Sequence, residues 1–226
     1  MPNVPALEAH SLAASRGYAT LFSGLSFGVG EGDALTVRGP NGSGKTTLLR
    51  ILAGLTEPAG GEVRWRNERM RVGDSRLRSA VAFNGHLAAL KDELTVQENL
   101  AAWSALDGNG AGPGERAQAL AGAGLAQHAK LPARALSQGQ RRRIGLARLA
   151  LSRHPMWILD EPLTALDSDA IALLQRLLSG YLVAGGVVVA ASHAPLPLPA
   201  AHCRELDLAA SRASAREAPR DPACHR

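Results

Sequence analysis

The sequence is short of lysine, and its positive charge is not gathered into one region. Three of its 25 basic residues are lysines, Lys45, Lys91 and Lys130, and the rest are arginines. The arginines are scattered apart from Arg141 to Arg143 and a loose group from Arg64 to Arg78, and acidic residues are interleaved with that loose group. The formal net charge of +5 therefore indicates a solvated surface rather than a nucleic-acid-binding stripe, with contact to a lipid headgroup surface or a nucleic acid as the minority interpretation.

Cysteine is also scarce, and both cysteines, Cys203 and Cys224, lie near the C-terminus. They form no CxxC pair and have no zinc-site spacing, so reduced thiols are predicted. Residues 1–15 contain no lysine or arginine, which argues against a signal peptide. The longest stretch without formal charge, residues 177–203, is broken by glycines and prolines, which predicts no membrane-spanning helix.

What remains is an ordinary globular composition with 46% hydrophobic and 20% charged residues. A length of 226 residues suits one large domain that carries an inserted lobe. Apolar spacing predicts a strand at 35–37, a helix from about 48 to 55, a half-exposed strand at 63–65, and strands at 80–83, 156–159 and, last in the chain, 187–191. Helices are predicted at 95–106 and 115–125, from Ser137 to about Pro155, and up to Val183. Strands on either side of a helical block predict a parallel α/β core with a helical insertion.

A phosphate-binding loop follows the strand at 35–37. The octapeptide fits G-x-x-x-x-G-K-[ST] at every position: Gly39, Pro40, Asn41, Gly42, Ser43, Gly44, Lys45 and Thr46, with Thr47 next. Glycines let backbone N–H groups approach phosphate oxygens, and the following helix adds its positive end. In this arrangement Lys45 bridges the β- and γ-phosphates of ATP, and the Thr46 hydroxyl ligates Mg²⁺.

A second acidic motif ends the strand at 156–159. Asp160 and Glu161 follow it directly, at the carboxyl end of the strand, where open α/β sheets bind ligands. Asp160 is predicted to hold Mg²⁺ and Glu161 to activate the attacking water as general base.

The pentapeptide from Leu136 to Gln140 resembles the LSGGQ signature of the ATP-binding cassette (ABC) ATPases. That resemblance implies a homodimer in which the signature of one subunit closes over ATP held by the other. It assigns this contact to Ser137, Gln138, Gly139 and Gln140, with Gln138 standing where glycine is usual. It further implies a mostly parallel core sheet, an antiparallel N-terminal β-subdomain and an inserted helical lobe.

Other positions follow from the same resemblance. Asp167 matches the D-loop and His193 the switch histidine that contacts the γ-phosphate. His86 occupies the expected place of the Q-loop glutamine. Arg16 stands where an adenine-stacking aromatic is expected, and either Tyr18 or the guanidinium of Arg16 is a candidate, with Tyr18 slightly favoured. Arg141 to Arg143 are interpreted mainly as a solvated helix face.

The chain around His86 and Glu161 also resembles one subfamily, the ATP-binding subunits of the haem-exporter-type transporters of bacterial cytochrome c maturation. The resemblance covers about residues 7–208. It implies a peripheral subunit on the cytoplasmic face of the inner membrane, bound to integral membrane subunits, that handles haem only indirectly. It predicts one nucleotide-binding domain at 1–208, with a helical lobe at about 84–152, and a flexible tail at 209–226.

Three alternatives remain open at the level of the sequence. An ATP-binding subunit for another transported substrate is the second interpretation within the class, because substrate choice lies mainly in membrane subunits. A soluble ABC ATPase acting on DNA or ribosomes fits less well, because the chain has neither a second cassette nor a long insertion. A nucleotide-regulated binding module with little turnover is disfavoured by Glu161 and His193.

Overall fold

A computed structural model describes residues 5–85, 90–108 and 110–209. The strands, in chain order, are β1 (Leu7–Arg16), β2 (Ala19–Val29), β3 (Ala34–Arg38), β4 (Gly60–Trp65), β5 (Glu68–Met70), β6 (Val81–Asn84), β7 (Met156–Asp160), β8 (Val187–Ala191) and β9 (Cys203–Asp207). The helices are α1 (Lys45–Leu52), α2 (Ser75–Ala80), α3 (Val96–Leu106), α4 (Pro113–Gly122), α5 (Gln138–Leu151) and α6 (Ser168–Val183).

The described strands form two sheets. The first is antiparallel with the order β2-β1-β4-β5, and the second is parallel with the order β6-β7-β8-β3-β9. Every residue of β7 and β8 is buried, as expected for central parallel strands covered on both faces. One hydrophobic cluster joins both sheets to α1, and a second packs α6 and part of α5 on the other face of the parallel sheet. The predicted fold class is confirmed.

The helical lobe has its own hydrophobic core. Helices α3, α4 and α5 pack around Leu100, Leu120, Leu125 and Ile144, each at most 2% exposed. Helix α3 begins at a capping box formed by Thr95 and Glu98. Of the described helices, none has the length and apolar content needed to cross a bilayer.

The prediction that the last strand is 187–191 is wrong, because β9 follows it and pairs in parallel with β3. Strand β9 lies at the edge of the sheet and three of its five residues are exposed. Its sequence, Cys-Arg-Glu-Leu-Asp, therefore lacks the apolar run by which a buried strand is recognised. Helix α4 also begins and ends earlier than predicted, since Pro113 occupies its first turn.

Candidate active site

The glycine-rich loop between β3 and α1 takes a backbone shape that only glycine adopts without strain. Gly39 has φ 147°, and a Cβ there would lie 2.7 Å from the Ser43 hydroxyl oxygen. Gly44 has φ 103° and directly precedes α1, where a Cβ would lie 3.1 Å from the Leu21 and Phe22 side chains. The loop therefore wraps tightly against β2 and exposes the N-terminus of α1 to a phosphate group.

Lys45 is held across this loop. Its side chain is part-buried, and Nζ donates to the carbonyl oxygens of Gly39 at 2.7 Å and Pro40 at 3.4 Å. An ammonium group fixed by two neutral carbonyls keeps its full positive charge available to an anion. These two bonds hold the ammonium group over the loop, where it can form charge-assisted contacts with a phosphate.

Thr46 and Asp160 face each other across the base of the site. The Thr46 hydroxyl donates to Oδ2 of Asp160 at 3.0 Å, and Asp160 is 5% exposed at the end of β7. A hydroxyl and a carboxylate are hard oxygen ligands of the kind that Mg²⁺ prefers. Their direct contact places the two oxygen atoms side by side at the base of the site.

Glu161 has a left-handed backbone, with φ 51°. Its N–H donates to the Ala191 carbonyl at 2.9 Å, which ties the turn after β7 to the end of β8. Positive φ is costly for a residue with a side chain and recurs at functional sites. The turn here directs the Glu161 carboxylate towards His193, with Oε1 at 3.4 Å from Nε2.

His193 follows β8 and also contacts the glycine-rich loop. Its Nε2 lies 3.2 Å from Oδ1 of Asn41. Because Asn41 and Glu161 both present oxygen acceptors, Nε2 carries the ring hydrogen. The His193 carbonyl accepts a bond of 3.4 Å from Arg38, whose guanidinium pairs with Glu205 on β9 at 2.6 Å. Sequence reasoning missed this support, since nothing in the sequence marks β9.

One cavity of about 380 Å³ lies between the glycine-rich loop and the carboxyl end of β7, and His193 is not among its lining residues. It is lined by Arg16, Leu21, Asn41, Gly42, Gly44, Lys45, Thr46, Thr47, Asp160 and Glu161. Arg16, at the end of β1, is part of the lining, whereas Tyr18 is fully exposed and is absent from it. The geometry thus favours Arg16 over Tyr18 as the side chain next to a bound nucleotide.

The signature residues lie apart from this cavity, on the helical lobe. Ser137 caps α5 in a capping box: its hydroxyl accepts from the Gln140 backbone N–H at 3.2 Å, and its own N–H donates to the side-chain oxygen Oε1 of Gln140 at 2.9 Å. Ser137 and Gln138 are exposed. Within the described residues, no signature residue lines the phosphate cavity. His86 lies outside the described residues.

Asp167 caps α6 and joins it to the signature helix. Its Oδ1 accepts from the Ala170 N–H at 2.9 Å, and Arg143 NH2 donates to its two oxygens at 2.6 and 2.7 Å. The Arg143 bonds, followed by the Ala170 N–H, hold the pKa of Asp167 below its usual range. Arg141 pairs similarly with Asp92. Arg141 and Arg143 therefore form ion pairs with exposed carboxylates at the surface of the lobe.

A glycine-rich phosphate loop, a buried aspartate and a strained glutamate at the ends of parallel strands define a P-loop nucleotide hydrolase. Residues 22–164 match the family described as ABC transporter, which is more than half of the chain. The chain belongs to the ABC transporter family, and as an ATPase of that family it binds and hydrolyses ATP.

Among similar proteins is the cytochrome c biogenesis ATP-binding export protein CcmA of Cupriavidus necator, which is 48% identical over 195 residues and 86% of each chain. The protein of the same name from Nitrosospira multiformis is 44% identical over 205 residues, covering 91% of this chain and all of its own.

Solved structures agree on the fold. A putative ABC transporter ATP-binding protein from Pyrococcus furiosus matches with a TM-score of 0.76 at 22% identity, over 91% of this chain and 98% of its own. The ATP-binding cassette MJ0796, in a dimeric post-hydrolysis state bound to ADP and Pi, matches with a TM-score of 0.71 at 26% identity, over 83% of this chain and 88% of its own.

Proposed function

We propose that this chain is the ATP-hydrolysing subunit of a membrane transporter of the cytochrome c biogenesis type, and that it drives the handling or export of haem. The observation that carries the proposal is the identity of 48% over 195 residues to a protein named for that role. In the proposed complex, two copies of the chain bind integral membrane subunits at the cytoplasmic face of a bacterial inner membrane and do not contact haem directly.

Binding of ATP is assigned to the cavity described above. Lys45 and the loop N–H groups take the phosphates, and Arg16 stacks its guanidinium on the base. Thr46 and Asp160 hold Mg²⁺, which when bound neutralises charge on the β- and γ-phosphates. This assignment is supported by the 3.0 Å contact between the two side chains.

Hydrolysis is assigned to Glu161 and His193. Glu161 accepts a proton from the attacking water as general base, and its side chain is 18% exposed, so it is shielded but reachable. His193, with its hydrogen on Nε2, donates towards the oxygens of the γ-phosphate. Their 3.4 Å contact supports a common target for both groups.

The site is proposed to be completed by a second copy. The signature residues Ser137, Gln138, Gly139 and Gln140 of one copy close over the ATP of the other, with Asp167 beside them. Support comes from their separation from the phosphate cavity within one chain and from their exposure. In other nucleotide hydrolases, a stabilising group supplied in trans raises the rate of hydrolysis by about 10³–10⁵-fold.

The activity is tested by magnesium-dependent ATP hydrolysis of the purified chain and of its Glu161→Gln variant. We expect loss of the base to lower turnover by about 10²–10⁴-fold while ATP-bound dimers accumulate, because binding groups are untouched. Dimers are counted by sedimentation in ATP. Undiminished turnover in the variant contradicts the role of Glu161, and full activity in a monomer contradicts the shared site.

The transport role needs a separate test. Gentle detergent extraction of native membranes, followed by purification through this chain, is expected to recover integral membrane subunits together with haem-handling proteins. Recovery of membrane subunits for a different substrate supports another transporter of the same class. Recovery of ribosomes or DNA in place of membrane subunits contradicts the proposal.

A further inference from the structure

The side-chain amide of Gln140, the last residue of the signature, is fixed at both ends. Its oxygen accepts from the Ser137 N–H at 2.9 Å, which closes the capping box of α5. Its nitrogen lies 3.0 Å from Nε2 of His128. Because the oxygen is committed to an N–H donor, the amide nitrogen must face His128 and must be the donor there.

This arrangement fixes the tautomer of His128. Nε2 needs a free lone pair to accept from Gln140, so the ring hydrogen belongs on Nδ1. Nδ1 is buried and has no hydrogen-bond partner within the part of the chain that the structure describes. A buried donor without a partner is unfavourable and calls for an explanation. The explanation is the contact of Nε2 with the side-chain amide of Gln140, which holds the ring in this orientation.

His128 lies in a turn whose backbone hydrogen bonds do not involve α5. Its N–H donates to the Leu125 carbonyl at 3.0 Å, and its carbonyl accepts from Leu131 at 2.9 Å. The Leu131 carbonyl in turn accepts from the N–H of Val96, the first residue of α3. The imidazole therefore links the signature to the start of α3, through bonds that do not pass along α5.

We infer that His128 is a positioning residue for the signature: its neutral imidazole accepts from Gln140 and so holds the capping box in the shape that meets the second copy. The inference rests on the proposed function, in which the signature contacts ATP in trans. Without the acceptor, the Gln140 side-chain amide is free to rotate and the Ser137 N–H loses its partner, so one of the two bonds of the capping box is lost and only the bond from the Gln140 backbone N–H to the Ser137 hydroxyl remains.

ATP-dependent dimerisation measures this effect directly. In a Glu161→Gln background, His128→Leu fills the ring volume without an acceptor and is expected to raise the protein concentration needed for dimerisation in ATP about tenfold. His128→Gln restores an acceptor and is expected to stay within about twofold of the parent. ATP affinity of the dilute monomer is expected to be unchanged in both. The matched control is His10→Leu, an exposed histidine of β1.

The tautomer is tested without any substitution. Long-range ¹H–¹⁵N NMR spectra of the unaltered chain at neutral pH are expected to show the His128 hydrogen on Nδ1, and a hydrogen on Nε2 overturns the inference even where His128→Leu does not fold. Equal dimerisation of His128→Leu and the parent, or equal weakening in His128→Leu and His128→Gln, also overturns it. A parent that does not dimerise in ATP overturns the proposed trans role, and the inference with it.

Discussion

The two halves of the composite site are built by different physical means. The phosphate half lies at the carboxyl ends of buried parallel strands, where Asp160 is 5% and Lys45 8% exposed. The signature half lies on the helical lobe, where Ser137 is exposed and is held by capping bonds, and where ion pairs of Arg141 and Arg143 hold the helix that it begins. Backbone packing fixes the first half, whereas a few side-chain hydrogen bonds fix the second.

This difference predicts how substitutions in each half of the site affect nucleotide binding and dimerisation. Substitutions at the sheet end should remove nucleotide binding or chemistry within one chain, with large effects. Substitutions at the lobe should leave nucleotide binding intact and weaken the contact between copies, with smaller effects that depend on protein concentration. Three experiments examine this contrast, in order of decreasing effect.

The largest effect is expected from Lys45→Met. The change removes a part-buried ammonium that is already held by the Gly39 carbonyl, so a bound phosphate loses a charge-assisted contact. Nucleotide affinity of the monomer should fall by about 10–100-fold. Equilibrium binding of a fluorescent ATP analogue measures it. Lys130→Met, at an exposed position, is the matched control and should bind like the parent. Equal nucleotide affinity of Lys45→Met and Lys130→Met contradicts the expectation that substitutions in the phosphate half weaken nucleotide binding.

A smaller effect is expected from Arg143→Gln. The change removes both bonds to Asp167 and so frees the signature helix from the turn before α6. Turnover should fall by about three- to tenfold with monomer ATP affinity unchanged, in a steady-state ATPase assay. Asp167→Asn keeps an oxygen that can cap α6, and its turnover should resemble that of Arg143→Gln. The double variant should be no slower than Arg143→Gln alone, and additive losses contradict a shared interaction.

The smallest effect is expected from Glu98→Gln, at the capping box that begins α3. Bonds from the Thr95 hydroxyl and N–H hold the pKa of Glu98 below its ordinary value of 4.5. Its charge therefore stabilises the fold above that value, and this contribution is lost as the pH falls through the folded-state pKa. The urea midpoint of the parent should exceed that of the variant at pH 7, and the difference should vanish in acid. A difference that persists in acid assigns the effect to something other than the charge.

The residues proposed for both halves of the site could be found in the sequence because each motif is local. The glycine-rich loop, the two acids at the end of β7 and the capping box of the signature each occupy one short segment with a fixed spacing. The contacts that position them join distant segments: Arg143 with Asp167, His128 with Gln140, and Arg38 with Glu205. Such pairs depend on how helices and strands pack, which no single motif encodes.

Strand β3, which leads into the phosphate loop, has consequences for how the chain is made. It belongs to the first 40 residues, yet its neighbours in the sheet are β8 and β9, so Ala34 pairs with Val188 and with Cys203. During synthesis, the strand that carries the phosphate loop leaves the ribosome long before either neighbour exists. Contacts so distant in sequence form slowly and leave a strand edge open in the meantime. Strand β3 and the phosphate loop that follows it therefore gain both of their sheet neighbours only after β9 has been translated.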